Sequence, residues 1–144
     1  MNIRILKTLS SFFLFIFLSN ELLADQGITS DQILIGMHTD ISGPASMIGK
    51  QSVDGANMRF KEFNENGGAF GRTIKLIVED HQYTVPRAVQ AANKLLRKDK
   101  VAFMMGALGT PMNNAVMTDQ LAMNVPKLFP LTAARSMFEP FDRL

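Results

Sequence analysis

The loop at residues 106–114, GALGTPMNN, carries the residue types best suited to holding a small ligand. Gly106 and Gly109 have no side chain, so the backbone there can approach a ligand closely. Thr110 places a hydroxyl at the start of a predicted helix, where free N–H groups and the helix dipole favour an anion such as a carboxylate. The same residues fit a helix that is merely capped by threonine and binds nothing.

Two other loops offer small and hydroxyl-bearing residues in similar positions. Residues 40–46, DISGPAS, contain Ser42 and Gly43, and residues 130–134, PLTAA, contain Thr132 beside several backbone amides. Either loop could form a second wall of the same cleft, and either could equally be a surface turn.

Catalytic and metal-binding arrangements find little support. His38 and Asp40 form an H-x-D pair on a predicted strand, but a metal site would need a third ligand, and the chain has no cysteine. His81 has acidic neighbours but no further partner in sequence, and Ser42 lies outside any G-x-S-x-G context. The 106–114 loop lacks both a phosphate-binding lysine and a dinucleotide fingerprint. The sequence therefore predicts a non-enzymatic protein with no catalytic residue, metal or cofactor.

These loops are positioned by an alternation of apolar runs and amphipathic segments. Strands are predicted at residues 33–37, 73–80, 101–105 and 127–131, and helices at residues 51–66, from Thr84 to about residue 98, and at residues 115–123. This β-α-β-α-β-α-β pattern predicts an α/β fold with a Rossmann-like parallel sheet and helices on both faces. In such sheets ligands bind beyond the carboxyl ends of the strands, where all the candidate loops lie.

The N-terminus and the charge bound the class of protein. The first 24 residues combine a positive start, an apolar run SFFLFIFL and a small residue at Ala24, as in a secretory signal peptide; an uncleaved membrane anchor is the alternative. The net charge of +2 without a basic block argues against nucleic-acid binding.

Four motifs, taken in their order along the chain, resemble the amino-acid-binding proteins of ABC importers. They are ILIGMHTDISGP, NENGGAFGRTIKLIVEDHQYTVPRAVQAANKLL, VAFMMGALGT and KLFPLTAA. These proteins belong to the leucine/isoleucine/valine-binding branch of the type I periplasmic binding proteins, whose two Rossmann-like lobes close on a ligand. The resemblance covers residues 33–139 and implies that residues 25–144 are the first, truncated part of the N-terminal lobe. By position it implies ligand contacts at Ser42, Gly43, Gly109, Thr110, Pro111, Leu131, Thr132 and Ala133.

The departures from the family pattern concern specificity. A serine run is replaced by Gly109-Thr110-Pro111-Met112, and a Gly-Ala-Thr loop by Leu131-Thr132-Ala133. A cysteine pair of the family aligns with Tyr83 and Gly109, so its disulfide is absent here. Leucine specificity therefore does not follow from the resemblance.

The resemblance implies a periplasmic solute-binding component of an ABC importer that captures an amino acid or a related small organic acid. Its partners would be that ligand and the importer permease, with the membrane reached only through the importer. A sensory ligand-binding domain of the same fold, or a flavodoxin-like enzyme fragment, are the alternatives.

Export should remove residues 1–24. N-terminal sequencing of the protein recovered from a periplasmic extract should begin at Asp25, because Ala24 is the small residue that a signal peptidase needs. Periplasmic protein that begins at Met1 would contradict the signal-peptide assignment.

Overall fold

Four parallel strands form a sheet in the structure, a computed structural model that describes residues 26–139. The strands are β1 (Gln32–Thr39), β2 (Thr73–Asp80), β3 (Phe103–Met105) and β4 (Lys127–Leu128). Their order across the sheet is β2-β1-β3-β4, and each pairing is parallel. The predicted α/β fold with a parallel sheet is confirmed. The predicted signal peptide lies outside the described residues.

Helices connect the strands. They are α1 (Ser46–Glu65), α2 (Val85–Asn93) and α3 (Thr110–Ala122); α2 continues into a π-helical turn at Lys94–Lys98, and a 3-10 turn follows at Arg135–Met137. Among residues 26–139, no helix is long and apolar enough to cross a bilayer.

Two helices begin earlier than the apolar pattern predicted. Helix α1 starts at Ser46 rather than at residue 51. The apolar pattern does not show its first turn, because the apolar residues Met47 and Ile48 are exposed and do not line the buried face of the helix. Helix α3 starts at Thr110 rather than at residue 115. The apolar pattern does not show its first turn, because a buried residue of that turn, Asn113, is polar. Hydrophobic periodicity cannot detect either turn.

The strand boundaries also differ from the prediction. β1 extends to Thr39, since it pairs with β2 along its whole length, whereas β3 begins only at Phe103. β4 stops at Leu128, because Phe129 turns to a φ of 48° and the following Pro130 has no N–H to donate. Beyond Leu128, the only strand pairing of the predicted fourth strand in the described residues is an isolated parallel bridge between Leu131 and Leu108.

Helices cover both faces of the sheet. A side chain at Gly36 would contact Val101 and Leu95, which lie beyond α2. The hydroxyl of Thr39 instead lies 3.0 Å from the Cβ position of Gly49 in α1. Residues 36 and 39 point to opposite faces because side chains alternate along a strand.

The core lies between the sheet and the pair α2 and α3. Its buried members are Ala92, Leu95, Leu96, Val101, Met104, Val116 and Val125. Lys94, at the start of the π-helical turn, bridges Glu79 at the end of β2 and Asp99. This ion-pair network attaches the turn to the sheet.

One polar side chain is buried in this core without a hydrogen bond. His38 on β1 is 0% exposed, and neither of its ring nitrogens has a hydrogen-bond partner among the described residues. Burial, with a smaller contribution from the positive charge of Lys127, lowers the pKa of His38 to about 3. The imidazole is therefore neutral in the folded protein.

Gly49→Ala is expected to destabilise the fold, whereas Gly55→Ala in the same helix is expected to stabilise it. A Cβ at Gly49 would lie 1.8 Å from the carbonyl oxygen of Asp40, so α1 would have to shift, at about 1–3 kcal/mol or more. A Cβ at Gly55 meets nothing within 4 Å, and alanine is the better helix former by about 0.5–1 kcal/mol. Urea unfolding of the two variants measures both effects, and a destabilised Gly55→Ala or an unaffected Gly49→Ala would contradict this packing.

Stability should fall on acidification because of His38. The pKa of His38 in the folded protein lies below the ordinary histidine value of 6.5, so the unfolded chain takes up the proton first. The contribution of His38 to the free energy of unfolding is fully present above pH 6.5. It is lost as the pH falls toward 3, at about 1.4 kcal/mol per pH unit.

The measurement is urea unfolding between pH 6.5 and pH 5, where most carboxyl groups remain ionised. The wild type should lose about 2 kcal/mol more than His38→Phe, which removes this titration but keeps a buried ring. Equal losses in the two proteins would show that His38 does not govern the acid sensitivity.

Candidate functional site

The loops that follow β3 and β4 run side by side at the carboxyl edge of the sheet. The N–H of Leu131 donates to the carbonyl of Ala107 (2.9 Å), and the N–H of Gly109 donates to the carbonyl of Leu131 (3.2 Å). These two hydrogen bonds bring together residues that lie more than twenty positions apart in the sequence. They fix the position of the next residue in each loop, Thr110 and Thr132.

Thr110 and Thr132 form a hydroxyl pair. Their Oγ1 atoms are hydrogen-bonded to each other, and the N–H of Ala134 donates to the hydroxyl oxygen of Thr132 (3.2 Å). Two hydroxyls carry two hydrogens, and one of them joins the pair. The other hydrogen remains available to an acceptor outside the pair.

Backbone donors lie beside this hydroxyl pair. Thr110 is the first residue of α3, and among the described residues neither its N–H nor that of Ala133 donates a backbone hydrogen bond. Thr110 and Ala133 are both exposed. The N-terminus of a helix also carries a positive partial charge. Two N–H groups that donate no backbone hydrogen bond, and one spare hydroxyl hydrogen, therefore lie where an anion is favoured.

Gly109, Pro111 and Leu131 build this surface without offering donors. The N–H of Gly109 and both backbone groups of Leu131 are used between the loops. Pro111 is exposed but has no N–H. Gly109 has a φ of 93°, and a Cβ there would come within 2.2 Å of the methyl carbon of Met112. Only glycine fits this position.

Ser42 and Gly43, the candidates after β1, are held by two carboxylates. Asp40 accepts the N–H of Gly43 and that of Ala45. Asp80, at the end of β2, accepts the hydroxyl of Ser42 and the N–H of Ile41. The hydroxyl hydrogen of Ser42 is thus already used, so toward a ligand Ser42 offers an acceptor.

Asp80 is ionised more easily than an ordinary aspartic acid. Burial opposes its ionisation, but hydrogen bonds from Ser42, Ile41 and Gln82 outweigh burial and lower its pKa. The β1–β2 side of the edge is therefore anionic, whereas the β3–β4 side presents donors. An anionic ligand group is electrostatically favoured on the β3–β4 side.

His81 connects the loop after β2 to the loop after β3. Its Nδ1 accepts the N–H of Tyr83 (3.0 Å), so its ring proton lies on Nε2, which donates to the carbonyl of Leu108 (3.1 Å). Burial lowers the pKa of His81, which keeps this tautomer neutral. The ring also supports a turn in which Gln82 and Tyr83 both have positive φ.

The two positions aligned with the family's cysteine pair are in contact. The ring of Tyr83 lies 3.1 Å from the Cβ position of Gly109, and the tyrosine is 40% exposed. An aromatic ring packed on a glycine backbone thus joins the loops at the point where the resemblance implied a missing disulfide.

Asn113 and Lys127 form a buried network behind the hydroxyl pair. The Nδ2 of Asn113 donates to the carbonyls of Ala107 (2.8 Å) and Gly109 (2.9 Å). Its Oδ1 accepts the ammonium of Lys127 (2.8 Å). Sequence analysis missed both residues, although a lysine within the apolar KLFPL run was a visible signal.

The H-x-D pair on β1 does not form a metal site. The carboxylate of Asp40 is used by backbone N–H groups, and His38 is buried in the core. Within residues 26–139, no cluster of three or more metal-ligating side chains occurs.

A sequence profile of the periplasmic binding protein family matches residues 32–137. Among curated proteins, the Leu/Ile/Val-binding protein BraC3 of Rhizobium johnstonii is 32% identical over 74 residues, which are 51% of this chain and 20% of that protein.

Solved structures of substrate-binding proteins are also similar to this chain. A fatty acid ABC transporter substrate-binding protein from Thermomonospora curvata is 28% identical with a TM-score of 0.65, covering 74% of this chain and 27% of that one. A possible leucine/isoleucine/valine-binding protein from Rhodopirellula baltica, at 23% identity, shares the fold with a TM-score of 0.74, covering 84% of this chain and 32% of that one.

The chain spans about a fifth to a third of the length of these relatives. The matched region contains the whole described sheet and every candidate loop. The matched family and these relatives are binding proteins rather than enzymes. This chain belongs to the periplasmic binding protein family.

Proposed function

We propose that this chain forms one wall of a periplasmic receptor that captures a small carboxylate-bearing solute, an amino acid or a related organic acid, for an ABC importer. The observation that carries the proposal is the hydroxyl pair of Thr110 and Thr132 at the N-terminus of α3. A carboxylate accepts hydrogen bonds only, and this surface offers donors.

The proposed contacts follow from the available hydrogens. One carboxylate lone pair accepts the spare hydroxyl hydrogen of the threonine pair, and the N–H groups of Thr110 and Ala133 serve two more. Ser42 and Gly43, across the edge, form a second wall, where the oxygen of Ser42 suits a donor on the ligand. Gly109, Pro111 and Leu131 shape the loop between these walls.

The ligands named for the relatives share one chemical group. The Rhizobium protein is named for leucine, isoleucine and valine, and the Thermomonospora protein for fatty acids. Amino and fatty acids differ in the amino group and the apolar tail, but each has a carboxylate. A carboxylate is therefore the part of the ligand that we assign to these loops, leaving the tail to other residues.

Export and partnership complete the proposal. Residues 1–24 would direct the chain to the periplasm, and the importer permease would receive the ligand-loaded receptor. Receptors of this fold enclose most of the ligand surface. Residues 26–139 supply contacts from one side only, so we expect weak binding by the chain of residues 25–144 alone.

Removing either hydroxyl should weaken carboxylate binding. Thr110→Val and Thr132→Val keep the side-chain shape and delete one donor or its partner, which costs about 1.5–3 kcal/mol for a bond to a charged group. This corresponds to a roughly ten- to hundredfold weaker affinity. NMR titration of residues 25–144 with leucine, isoleucine, valine and a fatty acid measures it, and the N–H signals of Thr110 and Ala133 should shift most.

Thr118→Val is the matched control, because Thr118 is exposed on α3 two turns beyond the site. It should bind like the wild type. If none of the four carboxylates shifts the Thr110 and Ala133 signals, or if both site variants bind as tightly as the control, the proposed site is wrong.

A further inference from the structure

Lys127 is a largely buried cation without an anionic partner among residues 26–139. None of the ion pairs in this part of the chain includes it, and its ammonium donates to the neutral amide of Asn113 (2.8 Å). Burial lowers its pKa to about 8. A buried charge without a counter-charge is unfavourable, so its persistence behind a proposed ligand site calls for a function.

The ammonium is connected to the site by a single side chain. Asn113 is fully buried; its oxygen accepts Lys127, while its nitrogen donates to the carbonyls of Ala107 and Gly109. Those carbonyls flank the loop that presents Thr110. Lys127 thus polarises the amide that fixes this loop, and it adds positive charge on the side of the loop away from solvent.

The groups around Lys127 leave its charge uncompensated. On β1 the nearest titratable side chain is His38, which is neutral because burial lowers its pKa to about 3. His81, beyond His38, is kept neutral as well. β3 has no charged residue, and the only one in α3 is Asp119, which is exposed. An anion on the far side of the Thr110 loop would supply the missing charge.

We propose that Lys127, acting through Asn113, is a specificity-determining residue that makes the site select a ligand with an anionic carboxylate over its neutral amide. The inference rests on the proposed function and explains how the site distinguishes a carboxylate from its neutral amide. The hydroxyl and N–H donors alone would also accept an amide oxygen, whereas the buried ammonium favours only the charged group. Lys127 does not touch the ligand; it is a positioning and electrostatic residue.

The test compares Lys127→Met with Lys75→Met in residues 25–144. Both changes remove one positive charge, but Lys75 is an exposed residue of β2 without an ion-pair partner among the described residues. The probes are leucine and leucinamide, or the tightest-binding acid of the panel above and its amide. The preference for the acid should fall about tenfold in Lys127→Met and stay unchanged in Lys75→Met.

A pH profile separates this effect from loss of structure. A bound carboxylate should raise the pKa of Lys127, so wild-type affinity should decline about fivefold between pH 7 and pH 9, and that of Lys127→Met should not. If Lys127→Met does not fold, NMR titration of the Lys127 side chain in the wild type gives the same answer. Its pKa should rise by about one unit on saturation with the acid and not with the amide.

The outcomes distinguish the two proposals. If carboxylates bind at Thr110 and Ala133 but the acid preference, the pH profile and the Lys127 pKa do not respond as expected, the role of Lys127 is wrong and the proposed site stands. If no carboxylate binds, both proposals fall together.

Discussion

Parallel strand pairing is the constraint on which the rest of this structure depends. Because the four strands run in one direction, all of their carboxyl ends meet at one edge, and the loops that follow them become neighbours. Each crossover returns through a helix, so that a helix N-terminus also faces this edge after β1, β2 and β3. Backbone donors and helix dipoles are thereby gathered in one place before any side chain is considered.

Polar side chains hold the loops at this edge in position. Asp40 and Asp80 accept N–H groups on the β1–β2 side, His81 joins the β2 and β3 loops, and Asn113 fixes the loop ahead of α3. Each satisfies backbone groups that regular secondary structure leaves open. A site built in this way is preorganised, since its donors are set by the folded backbone and need not be ordered by the ligand.

Charge divides the edge into two unlike halves. Two aspartates lie at the β1–β2 side, whereas the β3–β4 side combines donors of exposed residues with the partly buried Lys127. Burial strengthens electrostatic interactions because the local dielectric is low. In the proposed site, the acceptor-rich half and the donor-rich half would therefore suit opposite ends of a ligand.

The sequence by itself determined the order of strands and helices, the parallel sheet, and the loops that we propose as the ligand site, because apolar periodicity and glycine positions are local properties of the chain. It also marked Thr110 and Thr132 as candidates. Only the tertiary structure decided that their hydroxyls meet, that the hydroxyl of Ser42 already donates to Asp80, and that the buried Asn113 and the partly buried Lys127 lie behind them. Those facts depend on contacts between residues distant in the chain. From the sequence alone a polar side chain on a helix or strand is expected to be exposed, and only the packing shows what covers it.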